Sequence, residues 1–316
     1  MRAARRLLVF LIFVSLIGLV ISGRVMALET ANFIVRDLTG QLSNDQILRL
    51  ANGAEEKLRK ILDFWGAETR EGQLGKIRLE FAKPRGGTYS TVFITVKEGD
   101  RRVRVVRIYG VSGEPEMVAH KLTHAIFPSG DKLVRNMMGI PMEVRFGNPI
   151  TFPMCGFGHD AWVGVFRQNQ SYLPLAELGP DHEQWGMTTK EGVPVVLNKP
   201  RQHVMYAESG SFGAFLLTVY GVNKVKRFFH LSAGMKRPWE EVFGLSLSDL
   251  EKQWLQYLDS RAGQDDAQVP MLMRMVLDSP AKACETAQEK AGKKMIDPPT
   301  EFQQRPMGPR KSRQGS

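Results

Sequence analysis

Cysteine is scarce in this chain: Cys155 and Cys284 are the only two in 316 residues, and no bridge between them is expected. No Gly-x-Gly-x-x-Gly follows a strand-like run and no Gly-Lys-Ser/Thr loop occurs, so nothing points to a nucleotide or flavin. A Gly-x-Ser-x-Gly elbow is also missing. The formal charge is +10, but Arg2, Arg5 and Arg6 carry +3 of it and residues 293–316 another +4. The remainder is dispersed, without the basic block or aromatic-interleaved stripe that a phosphate backbone requires, so no nucleic acid is expected as a partner. With 43% apolar and 24% charged residues the composition is that of a globular protein, long enough for one large domain or two modest ones. No internal repeat is found.

Residues 1–27 (MRAARRLLVFLIFVSLIGLVISGRVMA) join three arginines to an apolar run over 7–21 and end in Val25-Met26-Ala27. That is the order of a signal peptide cleaved after Ala27. The run falls short of the ~20 residues that span a bilayer comfortably, and a retained N-terminal membrane anchor is the alternative. Either way the basic flank stays inside and the body lies outside the cytoplasm: periplasmic, secreted or membrane-anchored. No cysteine follows the run, so a lipoprotein anchor is not expected.

Residues 28–262 read as an α+β domain. A β-rich segment at 32–35 precedes helical periodicity over 44–66, where Ile47, Leu48, Leu50, Ala51, Leu58, Ile61 and Leu62 recur mostly at spacings of three and four. Runs rich in β-branched and aromatic residues follow at 76–81, 88–96 and 103–110, separated by turn formers. They predict a small, mainly antiparallel sheet. Helical segments are expected over 115–127, 160–169, 203–221, 222–233 and 247–261. Beyond them, 263–316 reads as a polar, largely disordered extension with one helix around 270–292.

The segment 117–128 (MVAHKLTHAIFP) carries the chemistry. On a helix, His120 and His124 project from one face, and two imidazoles so placed can share a tetrahedral zinc ion. This is the spacing of the His-Glu-x-x-His zinc helix, whose Glu is the general base; here that position is Lys121. With this string come Tyr206-x-x-Ser209-x-x-Phe212-x-x-x-Leu216 and Phe243-Gly244-x-Ser246-x-x-x-Leu250-Glu251-x-x-Trp254. Together they resemble the peptidase MA-like proteins of the gluzincin superfamily, extracytoplasmic zinc-metallopeptidase-like proteins, from about Asn32 to Arg261. The resemblance implies a zincin-like fold in which the sheet leads into the His-x-x-x-His helix and a helical subdomain. It also implies a third metal ligand from a later Trp-x-x-Glu-Gly-x-Ala segment, and a Tyr206 hydroxyl offered to a bound carbonyl.

The chain departs from that pattern. Gly158 stands where the ligand Glu belongs, leaving His159 or Asp160 to complete a site with His120 and His124; Glu143 and Glu208 are weaker candidates. An ammonium at Lys121 has no lone pair with which to take a proton from water, although burial and a nearby cation can depress its pKa. The expectation is a degenerate peptidase that binds peptide or cell-envelope material. The alternatives are a working metallopeptidase with a non-standard base, Lys121 with a depressed pKa or another group such as Glu143, or a metal-free structural protein of the envelope.

Overall fold

The computed structural model describes residues 27–67, 75–83, 90–110, 117–150, 152–190, 193–265, 268–278 and 283–291. The expected signal peptide or anchor lies outside these residues apart from Ala27, as does the chain after 291. No helix among the described residues is long and apolar enough to cross a membrane. The chain divides into two compact units, Met1–Arg59 with Glu68–Pro115, and Lys60–Ala67 with Glu116–Ser316.

In the first unit, β1 (Ala27–Glu29), β2 (Phe33–Asp37), β3 (Ile77–Ala82), β4 (Ser90–Glu98) and β5 (Arg101–Tyr109) form one sheet in the order β1-β2-β3-β5-β4. The sheet is mixed, which corrects the mainly antiparallel expectation: β2–β3 and β3–β5 pair parallel, β1–β2 and β4–β5 antiparallel. The β2–β3 connection carries helix α1 (Asn44–Trp65), long enough for the crossover that parallel pairing demands. Its buried stripe is Ile47, Ala51, Ala54, Leu58, Ile61 and Trp65, alternating steps of four and three, whereas Leu48 is exposed. Glu55 anchors the helix by accepting from the Asn32 backbone N–H at 2.7 Å and the Thr30 hydroxyl at 2.6 Å.

Central β3 alternates apolar and polar residues, Ile77-Arg78-Leu79-Glu80-Phe81, yet is buried along nearly its whole length, Arg78 and Glu80 included. Leu79 and Phe81 are fully buried. The buried Glu80 is held by Arg107 at 2.7 Å and Arg78 at 3.6 Å, so its charge is compensated.

The second unit is helical. It contains α2 (Val118–Ile126), α3 (Lys132–Phe146), α4 (His159–Gln168), α5 (Lys199–Val219), α6 (Val222–Leu231), α7 (Trp239–Phe243), α8 (Leu247–Asp265), α9 (Gln268–Asp278) and α10 (Ala283–Ala291). A hairpin of β6 (Met187–Lys190) and β7 (Val193–Val196) precedes α5. Cys155 and Cys284 form a disulfide, which corrects the expectation of no bridge.

Helix α3 lies close against α5, and two glycines of α5 permit it: a Cβ at Gly213 would stand 1.9 Å from the Met137 carbonyl oxygen, and one at Gly210 2.4 Å from Ile140. Pro141 inside α3 has no N–H to offer that carbonyl. Aromatic packing fills the rest of this unit, with Phe228 stacked on Trp239 at 4.0 Å between centroids and Phe212 edge-on to Trp254 at 5.6 Å.

Candidate functional site

Helices α2 and α3 pack closely, with Gly139 of α3 against the His120 and His124 rings of α2. Helix α2 starts abruptly: Met117 has φ 59° and no side chain caps the first turn. Glu143 of α3 supplies the missing acceptor, with Oε2 taking the His120 backbone N–H at 2.9 Å and Oε1 the Asn148 N–H at 2.8 Å. Both oxygens of this carboxylate are therefore engaged in fixing backbone. Helix α3 is capped by Asp131, which accepts from Leu133 N and Val134 N and is gripped by Arg237 at 2.6 Å.

The rings of His120 and His124 meet edge to face at 4.2 Å, as the four-residue spacing predicts. Both are buried. They lie against Gly139 of α3, where a Cβ would come within 2.8 Å of His120 Nε2 and 3.0 Å of His124 Nε2. Each Nε2 already has a partner: His120 meets Asn136 Oδ1 at 3.0 Å, and His124 meets the Arg135 carbonyl at 3.1 Å. A carbonyl only accepts, so His124 carries its proton on Nε2 and has no lone pair there for a metal. Burial, and then the neighbouring cations, hold both imidazoles well below the usual histidine pKa. Both rings are neutral at pH 7.

The proposed third donors take other roles. His159 donates from Nδ1 to Asp160 Oδ1 at 2.7 Å, and the same oxygen accepts from Ser211 at 2.5 Å. Ser211 Oγ in turn accepts from Trp254 Nε1 at 3.0 Å, so the network ties α4, α5 and α8 together. Burial opposes the Asp160 charge, but His159, Ser211 and Arg261 hold the carboxyl below its ordinary value. Asp160 does not cap α4 with its side chain. Glu208 is buried and accepts from the Leu173 N–H at 3.0 Å, and burial pushes its carboxyl well above the usual range.

Among the described residues, no group of three or more His, Cys, Asp or Glu side chains is placed to hold a metal ion. With His124 Nε2 protonated, Glu143 bonded to backbone and cations on several sides, this donor set does not fit zinc as it stands.

Lys121, half-buried beside the histidines, is pushed down to about 7 by burial and then by Arg135, with Glu143 opposing. Lys132, at the first turn of α3, is only 1% exposed. Its Nζ lies 2.9 Å from Met187 Sδ, 3.3 Å from His182 Nδ1 and 4.8 Å from the Trp185 ring centroid. Burial, and then Arg135 and Lys121, push it down to about 6. His182 falls to about 4 by burial and then by Lys132, Arg135 and Lys121. Tyr206 joins the group, its ring 6.0 Å from that of His120 and 5.7 Å from Lys132 Nζ.

Of the residues singled out in the sequence, Lys121 and Tyr206 lie beside the histidine pair; Lys132, Arg135 and His182 were not singled out. The available signal was the i, i+3 spacing of Lys132 and Arg135; it ordinarily marks a solvated face. Comparison with protein-family models, curated proteins and solved structures found no match to this chain.

Proposed function

We propose that this chain is an exported, zincin-like pseudopeptidase: a domain that binds peptide or envelope material in a former metallopeptidase cleft and does not hydrolyse it. The order of elements supports the zincin-like reading, because the sheet leads into the His120–His124 helix and α4 then brings His159 and Asp160 into the same unit. The Cys155–Cys284 disulfide supports an extracytoplasmic address.

One observation carries the loss of hydrolysis. The base position holds Lys121, and Glu143, the carboxylate bonded to the His120 backbone, has both oxygens on N–H groups. An amine pushed down to about 7 is the feature that favours the second reading, a working hydrolase with lysine as base. The Nε2 proton of His124 weighs against it, because such an enzyme needs both imidazoles on the metal.

The test is metal analysis of the purified chain after zinc reconstitution, with a peptide-cleavage assay on the same sample. The expected result is no retained zinc and no cleavage. Chelator-sensitive cleavage by the native chain, abolished in His120→Ala, would overturn the proposal.

A further inference from the structure

The helix pair concentrates positive charge; among the described residues the carboxylates that act on it are Glu143, on Lys121, and Asp131, on Arg135. Lys132 and Arg135 stand one turn apart on α3, and Lys121 lies on the neighbouring α2. Lys132 Nζ lies 3.3 Å from His182 Nδ1 and 5.7 Å from the Tyr206 ring centroid, and the charge of Arg135 acts on Lys121, Lys132 and His182, pushing each down. The carboxylates that could neutralise them are engaged elsewhere, Asp131 with Arg237 and the α3 cap, Glu143 with two backbone N–H groups.

Among the described residues, Lys121, Lys132 and Arg135 have no ion-pair partner. The buried Lys132 amine touches only a thioether, an imidazole nitrogen and two aromatic rings. Burial disfavours an uncompensated ammonium, so the Lys132 amine gives up its proton readily, and an anion that completes the cluster restores its charge.

Resting on the reading of this cleft as a peptide-binding site, we propose that Lys132, Arg135 and Lys121, with His182 and the Tyr206 hydroxyl, form a receptor for a carboxylate group of the bound peptide. Lys132 forms the floor, while Arg135 and Lys121, each half-buried, stand nearer to solvent. An arginine fork and two amines match the two oxygens of a carboxylate. The surrounding surfaces are Trp185, Tyr206 and Met187, which suit an anion carried on an organic body better than a free hydrated ion.

Binding takes up a proton. The groups facing Lys132 are Arg135 on its own helix, Lys121 on α2, His182, and Tyr206 on α5; with no anion present the cations among them disfavour its charge, and a bound carboxylate restores it. Affinity therefore falls as pH rises above 6, by up to about tenfold per unit.

Calorimetric titration of the full chain with N-acetyl-trialanine bearing a free carboxylate, with its C-terminal amide, and with inorganic phosphate tests this. The carboxylate peptide is expected to bind and the amide not. Arg135→Gln and Lys132→Met should each weaken binding by about tenfold or more; if Lys132→Met does not fold, Arg135→Gln gives the result alone. Equal binding of peptide and amide, no binding of either, or binding of phosphate alone would overturn the proposal. Mass spectrometry of the same samples separates the two readings: cleavage of a bound peptide overturns the pseudopeptidase and leaves the carboxylate receptor standing.

Discussion

Gly139→Ala tests the packing on which the site depends. In a regular helix this change is favourable by about 1 kcal/mol, because alanine loses less backbone freedom on folding than glycine. Here the added methyl would lie 2.1 Å from His120 Cδ2 and 3.0 Å from His124 Nε2, and His120 is fully buried with no room to retreat. Overpacking of this kind costs about 1–3 kcal/mol. Displacing the rings also threatens the His120–Asn136 and His124–Arg135 hydrogen bonds, each worth about 1 kcal/mol net. The helical gain offsets part of this and leaves a destabilisation of about 2 kcal/mol.

The assay is urea denaturation of Gly139→Ala, His120→Ala and the double variant. Removing the His120 ring makes room for the methyl, so the double variant should be more stable than the sum of the singles by about 2 kcal/mol. A Gly139→Ala chain as stable as native or more so, with no coupling to His120, would refute the packing of the two imidazoles against α3.

Two further outcomes follow from the same geometry. Glu143→Ala leaves the His120 and Asn148 N–H groups without their acceptor and should cost about 2–4 kcal/mol in denaturant titration, with Glu143→Gln milder because one acceptor oxygen survives. Lys132 and Lys121 are held at about 6 and about 7 in the folded chain against 10.5 unfolded. Between these values the unfolded chain binds more protons, so ligand-free stability should rise with pH from 6 towards 10, by up to about 1.4 kcal/mol per unit for each group. Denaturation midpoints across that range check the sign, and Lys132→Met should flatten the slope.

The sequence made the α+β class and the histidine helix legible because both depend on local periodicity. The alternating steps of α1 and the four-residue spacing of His120 and His124 survive into three dimensions. Helix α3 escaped notice because Gly139 and Pro141 read as breakers in isolation. Their reasons are tertiary: Gly139 admits the two rings, and the Met137 carbonyl that Pro141 cannot serve faces Gly213. The parallel pairs of the sheet are not legible because β3 alternates apolar and polar residues like a half-exposed antiparallel strand, while ion pairing lets Arg78 and Glu80 be buried with the rest. The Cys155–Cys284 bridge spans 129 residues, a pairing that no local pattern encodes. The cationic cluster combines residues 121, 132, 135 and 182, and only the fold brings them together.

Lys121→Glu restores the motif and yet should not restore peptidase activity. A carboxylate at 121 would face Arg135, the charge that now opposes the Lys121 ammonium most strongly, and would pair with it. It would thus neutralise the cluster from within and leave less to attract an external anion. The metal position would gain nothing, because His124 still donates Nε2–H to the Arg135 carbonyl and His159 still donates to Asp160. On the function proposed above, the base is one of several parts in which this chain departs from a metallopeptidase, and its cationic side chains suit an anion. The Lys121→Glu chain should therefore retain no zinc, cleave no peptide and bind the carboxylate peptide about tenfold more weakly than native, since one paired charge is worth roughly 1.4 kcal/mol or more in such surroundings. Zinc retention together with peptide cleavage in that variant would show that the scaffold remained competent and that lysine alone had silenced it.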